Sequence, residues 1–157
     1  MRCRKAVIGA LFFLNLAAVA HAQTGAVHVE DDKVNAALAK GGELMAAPQV
    51  RVAGAHRDTP GPLETQKGTS ILYVTAGEGT FVAGVRTQRL VKGDVLVVPA
   101  GTQQSFTHVS PSISYLLITV TVVAKDAKSE IVYVDHDKVG ATMMKAGPLA
   151  DAPNLRV

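Results

Sequence analysis

Gln104, Phe106 and His108 stand two residues apart in the stretch QSFTHV. An extended strand sends alternate side chains to one face, so an amide, a phenyl ring and an imidazole would share a surface. An amide offers a donor and an acceptor to a polar guest, and an imidazole can carry a proton or a metal near neutral pH. Blander fates compete with those. Buried amides commonly hydrogen-bond each other or water, and a core histidine donates to a backbone carbonyl, the expected role for His108. Other chemistries lack their residues, since the sequence has no Ser-His-Asp arrangement, phosphate-cradling loop or Cys/His cluster. His56 and Arg57 fall at a strand end beside DTPGP, where a rim position in solvent is expected. His28 and His136 lie near helix starts, where capping or surface roles suffice.

The elements that must position these side chains lie mostly beyond Gln49. QVRVAGAHR, SILYVTAG, GTFVAG, RTQRLV, DVLVVPA, QSFTHV and ISYLLITVTVVA are short, rich in Val, Ile, Thr and Tyr, and divided by Gly, Pro or Asp turns. They predict a seven-stranded antiparallel meander, with an eighth strand in EIVYV, closing into a sandwich or small barrel. GVRTQRL alternates polar and apolar, so one of its faces is expected to be wet. Ahead of the strands, VHVEDDKVNAALAKGGEL reads as a helix with Asp31 or Asp32 as cap. Val34, Ala37 and Leu38 share its apolar face, and Gly41-Gly42 is its stop.

A chain of 157 residues with 48% hydrophobic content is long enough for one domain with a real core. The first 22 residues read as a leader: MRCRK is basic, AVIGALFFLNLAAVA is apolar, and AHA is a small-x-small cleavage site ending at Ala22. Export to the periplasm or the medium is therefore expected. Removal of Arg2, Arg4 and Lys5 lowers Lys plus Arg from 16 to 13, equal to the 13 acids. The mature charge is then zero, which gives no pull toward nucleic acid or an anionic membrane. Cys3, the only cysteine, leaves with the leader, so packing rather than a disulfide must hold the domain. Without tryptophan and with few other aromatics, the chain is a poor stacking platform for sugars or bases.

Shifted by 105 residues, Val27–Val52 lies over Val132–Val157 without a gap, with 13 of 26 positions identical. The identities include Asp32/Asp137, Lys33/Lys138, Lys40/Lys145, Gly42/Gly147 and Pro48/Pro153. A helix and the strand beyond it are thus written twice, once on each side of the strands. The expected divisions are a leader at 1–22, a helical lead-in at 23–48, a β-barrel at 49–131 and a repeat of the lead-in at 132–157. The second copy belongs either to a shortened tandem or to an equivalent flank of one barrel. In either case it is expected to pair on the edge strand of another chain, giving a homo-oligomer.

GDVLVVPAGTQQSFTH resembles the second motif of the cupin family, Gly-x5-Pro-x-Gly-x2-His-x3-Asn, with Gly93, Pro99 and Gly101 in register. ILYVTAGEGTF resembles the end of the first cupin motif, with Gly77 at its closing glycine, and HRDTPGPLE resembles the approach to it. The resemblance runs from about Gln49 to Ala124. It implies an all-β, antiparallel jelly-roll (cupin) barrel with a short N-terminal helix and a repeated helix-strand element at the C-terminus, its pocket inside the barrel.

The resemblance also implies metal-ligand positions, and here their residues have changed. The glutamate position falls on Ser70. The first histidine pair falls on Glu64 and Gln66, or on Leu63 and Thr65 with the other spacer. The second-motif histidine falls on Gln104, and His108 stands at the asparagine position. Neutral amide and hydroxyl oxygens are weak donors to manganese, iron or zinc, so no cofactor is expected. Any divalent metal would rest on Glu64 and His108, with Gln66 and Gln104 as poor additions. Without a cation, an inward Glu64 must be protonated or paired.

The implied function is a small-molecule binding or structural module, anchored by Glu64, Gln66, Ser70, Gln104 and His108. The alternative is a cupin enzyme of isomerase, lyase or oxygenase type. It would use Glu64 as base and His108 as acid, or both through a weakly held metal. An interior plugged by Leu72, Val74 and Phe106 would speak for the structural role, and an open cavity joining Glu64 to His108 for catalysis.

Overall fold

The computed structural model describes residues 27–121 and 130–145. The leader, the link at 122–129 and the strand half of the second copy at 146–157 lie outside the described residues. Among the described residues no helix is long and apolar enough to cross a membrane.

Helix α1 spans Asp31–Lys40. Its N-cap is Glu30, which makes no side-chain cap bond, so neither Asp31 nor Asp32 caps it. Both aspartates sit in the first turn and Lys40 in the last, where the helix dipole favours those charges. Gly41 stops the helix at φ 78°, a left-handed backbone that glycine adopts without cost, and its N–H donates to Ala37 O at 2.8 Å. Ala37 is the one buried residue of α1. It lies so close to Gly54 that a Cβ added there would sit 2.5 Å from the Ala37 carbonyl carbon. Two small residues thus let helix and sheet touch backbone to backbone.

Eight strands follow: β1 (Gly42–Ala46), β2 (Val50–Arg57), β3 (Glu64–Thr65), β4 (Thr69–Ala83), β5 (Arg86–Val91), β6 (Val95–Val98), β7 (Gln103–Val120) and β8 (Val132–Val134). All pairings are antiparallel. Two of the strands are long enough to serve two layers. The first half of β4 and the second half of β7 pair with each other and lie in the order β1-β2-β7-β4-β6-β8. The second half of β4 and the first half of β7 also pair, flanked by β5 and β3. The chain turns from one layer to the other near Gly77 on β4 and Ser110–Pro111 on β7, where the register shifts. Gly77 has φ 75°, and a Cβ there would meet Ser112 O, so only glycine fits this corner. The result is a jelly roll of two curved layers.

The inner face changes parity at these corners. On β4, Ser70, Leu72 and Val74 point inward before the bend, and Phe81 and Ala83 after it. SILYVTAG and GTFVAG, separable as sequence patterns, are therefore one bent strand. QSFTHV and ISYLLITV join in the same way as β7. Leu72, Val74, Phe81, Leu90, Leu96, Phe106 and Ile113, each at most 3% exposed, fill the space between the layers. Phe106 meets Phe81 edge-on at 4.8 Å and Tyr115 at 5.2 Å. β5 is wet on one face and buries Leu90 on the other, as its alternation predicts. β1 is an addition to the predicted strands. GELMA has no clear alternation, and β1 forms because it is the edge partner of β2, with a bulge between Glu43 and Met45.

Helix α2 spans His136–Lys145, at the same 105-residue offset from α1 that relates the two copies in the sequence. The strand ahead of it, β8, pairs with β6. The join is held by Asp94, which is completely buried and accepts four hydrogen bonds. They come from Val91 N (2.9 Å), Tyr133 Oη (3.1 Å), His136 N (2.9 Å) and His136 Nδ1 (3.2 Å).

Candidate functional site

Four strands converge on a small chamber between the layers, of about 40 Å³. Its floor is Leu72, Phe106 and Tyr115, and its polar rim is Arg57, Glu64, Gln66 and Gln104. Local rules place each of these. Register sets Glu64 opposite Gln104, and residues directly opposite each other point to the same side. Arg57 is opposite Ile113, and Ala55 opposite Tyr115, so the odd-numbered residues of β2 face inward and Arg57 is the last of them. Gln66 N and O belong to the loop after β3, where its carbonyl accepts from Gly101 N at 3.0 Å.

Gln104 lines the chamber and is backed by Ser70, which does not reach it. Ser70 is fully buried and Gln104 is 7% exposed, and Gln104 Nε2 lies 3.2 Å from Ser70 Oγ. Gln104 Oε1 is buried with no hydrogen-bond partner among the described residues. Turning the amide over leaves the NH2 in the same position, so one end of this side chain is unmatched whichever way it is assigned. At the rim, Arg57 Nε donates to Tyr115 Oη at 3.4 Å, and its Nη2 stands 3.9 Å from Glu64 Oε1. Glu64 is half-exposed and paired, rather than buried without a cation. Gly61 lies against the Arg57 guanidinium, and its N–H donates to Phe106 O at 3.0 Å. Ser105 Oγ in turn donates to Gly61 O at 2.6 Å, so the loop before β3 is tied down over β7.

His108 is not in this chamber. β4 and β7 slip register between Thr80 and Phe81: Phe81 is opposite Phe106, but Thr80 is opposite His108, leaving Thr107 as an extra residue. This bulge shifts the phase of β7 by one, so Gln104 and Phe106 are buried while His108 is exposed on the outer face. The period-two expectation of one shared face holds for the first two residues and fails for the third. His108, exposed on the outer face, does not line the chamber that Glu64 lines.

The residues that sequence reasoning left on the rim in solvent are divided by the fold. His56 is exposed, with Nδ1 2.9 Å from Ser114 Oγ, whereas its neighbour Arg57 enters the site. Counting by twos from Tyr115's partner Ala55 would have found Arg57. The signal was obscured because α1 covers the other face of β2 at Gly54, so apolar or small residues occur on both faces. His28 is exposed, whereas His136 is tied to Asp94.

Leu72, Val74 and Phe106 do plug the interior, and Phe81 lines both this chamber and a second cavity. The second cavity, about 170 Å³, lies on the other side of that ring, between β5, β6 and β8.

Comparison with solved structures finds barrels of similar outline. A cupin superfamily protein from Desulfitobacterium hafniense is 20% identical, covering 53% of this chain and 77% of that one, with a TM-score of 0.49. An RmlC-like cupin family protein from Methanocaldococcus jannaschii is 13% identical over 52% of this chain and 78% of that one, TM-score 0.48. KdgF from Halomonas sp. is 17% identical over 53% and 78%, TM-score 0.48. No curated protein matches the chain. The family model of the AraC-like ligand-binding domain matches residues 50–139, which include every strand from β2 to β8, the Ser70–Gln104 pair and the Arg57–Glu64 rim. With more than half its length matched, this chain belongs to the AraC-like ligand-binding domains, a cupin-type family.

Proposed function

We propose that this is an exported ligand-binding domain, periplasmic or secreted, that holds one small polar molecule, without a metal, in the chamber between Gln104, Arg57 and Glu64. The observation that carries the reading is the unmatched end of Gln104. A buried amide oxygen without a partner costs about 1–3 kcal/mol, so it favours any guest that brings a donor. The chamber exceeds one water's share of liquid volume, about 30 Å³, by little, so it admits a hydroxyl or amine tip while the body of the guest rests on the rim. There Arg57 and Glu64 offer a donor and an acceptor to the rest of the molecule. Their long, half-exposed pairing costs little to open. Gln66 completes the mouth.

The positions that bind metal in other cupins do not suit one here. Ser70 and Gln104 are engaged with each other, Glu64 faces the Arg57 guanidinium, and His108 is on the outer face. A cation at this point would meet neutral oxygens and a positive neighbour. Glu64 lines the chamber and His108 lies exposed on the outer face, an arrangement that favours binding over a Glu64 base working with a His108 acid.

Binding is tested by following amide and side-chain NMR signals while a panel of small polyols and small primary amines is added. Shifts should gather at Arg57, Glu64 and Gln104, and Gln104→Leu should abolish them. A panel that leaves these signals unmoved, or moves them equally in Gln104→Leu, would refute the reading. Self-association through the C-terminal copy is part of the same proposal. Met143 and Met144 on α2 are 78% and 88% exposed, an apolar end that a second chain would cover.

A further inference from the structure

We propose that the second cavity is a separate site for a ring-sized carboxylate, independent of the Gln104 chamber. The pleat builds it. Arg86 is opposite Ala83 and Gln88 opposite Phe81 across the β4–β5 hairpin, so both polar side chains share the inner face with buried apolar partners. On the facing layer, Leu96 is opposite Tyr133, which brings a buried leucine and a phenol to the same cavity.

Size, polarity and charge each narrow the guest. An apolar cavity of about 150 Å³ accepts a benzene-sized molecule. The 170 Å³ here, floored by Phe81, Ala83 and Leu96, fits a single six-membered ring. The walls leave one net charge. Asp94 lies behind Tyr133 with both oxygens occupied, so Arg86 is the only ionised side chain among the described lining residues. Its guanidinium is held by one long bond, from Nη1 to Ile131 O at 3.4 Å, which leaves the rest of its donor fork for a carboxylate. Tyr133 spends its hydroxyl hydrogen on Asp94 and takes a hydrogen bond from the Gln88 side chain, which leaves one lone pair for a ring hydroxyl and nothing for a second carboxylate. Phe81 lines both cavities and separates them, so the two sites take different molecules.

Sodium benzoate, benzyl alcohol and 4-hydroxybenzoate are the probes, titrated into the full chain by calorimetry and NMR. Benzoate should bind about 2- to 5-fold more tightly than benzyl alcohol, the scale for a carboxylate paired with an exposed guanidinium. 4-Hydroxybenzoate should match or exceed benzoate. Arg86→Met should erase the preference for the acid while leaving benzyl alcohol unchanged. Ala83→Leu, which fills the floor, should abolish all three, and an unaltered far-ultraviolet spectrum would show that it still folds. The proposal is overturned if benzoate fails to bind, if Arg86→Met keeps the preference, or if the shifts fall at Arg57 and Gln104. Gln104→Leu separates the two sites, because it should leave benzoate binding intact.

Discussion

Replacing Asp94 tests how the C-terminal elements are attached. The side chain is fully buried and accepts from Val91 N, Tyr133 Oη, His136 N and His136 Nδ1 at 2.9–3.2 Å. Asp94→Ala strands two backbone N–H groups and one phenol in a partly buried setting. His136 Nδ1 belongs to a half-exposed side chain and recovers a bond from water. At about 1 kcal/mol for each stranded donor, the low end of the usual range, the loss is roughly 3 kcal/mol. That corresponds to roughly 10 °C in Tm for a domain of this size. Asp94→Asn keeps one acceptor and presents an NH2 to the donors on its other side, so its loss should be about half. Urea unfolding followed by circular dichroism gives the totals, and hydrogen exchange at Tyr133 and Val134 locates them. The expected order is wild type, then Asn, then Ala, with faster exchange confined to β8 and the first turn of α2. An alanine variant costing less than about 1 kcal/mol, or an asparagine variant equal to wild type, would show that β8 and α2 are held by something else.

Three further outcomes follow from the same structure. Burial, with Asp94 adding its charge and hydrogen bond, pushes the Tyr133 phenol up from 10.0 to about 12. The folded state therefore favours the neutral phenol, and that contribution is intact below pH 10 and lost as pH rises toward about 12. Urea midpoints of wild type should fall more steeply than those of Tyr133→Phe across that window, and parallel curves would refute the assignment. Gly54→Ala forces a Cβ to within 2.5 Å of the Ala37 backbone and should lift α1 off the sheet, costing about 1–3 kcal/mol in thermal unfolding. A variant as stable as wild type would mean that α1 docks elsewhere. Finally, light scattering should give a mass above one chain that falls to one chain for Met143→Ser/Met144→Ser. A wild-type monomer would end the self-association proposal.

The fold was legible where one rule acted alone. The helix at Asp31–Lys40 and the stop at Gly41 follow from periodicity and a glycine, β5 follows from alternation, and β6 from a short β-branched apolar run between turns. Legibility ended where two rules overlapped. Gly77 and Ser110–Pro111 read as strand ends but are corners within continuous strands, because a curved layer needs a break in side-chain phase without a break in pairing. The bulge at Thr107 has no local signature, since it arises from the misfit between two paired strands, and it alone decided the fate of His108. Arg57 and Asp94 were missed for a related reason. Their roles depend on partners 39 to 58 residues away, Tyr115, Tyr133 and His136, which sequence spacing does not bring together. Ser70 and Gln104, by contrast, were found through motif spacing and do meet.

Phe81 has a consequence for how such a domain changes its tastes. One aromatic ring is the partition between two rooms with different polar furnishings. While it stands, substitutions on either side alter one guest without disturbing the other. A single exchange to a small side chain would turn the partition into a corridor, and two modest pockets into one long enough for an extended molecule.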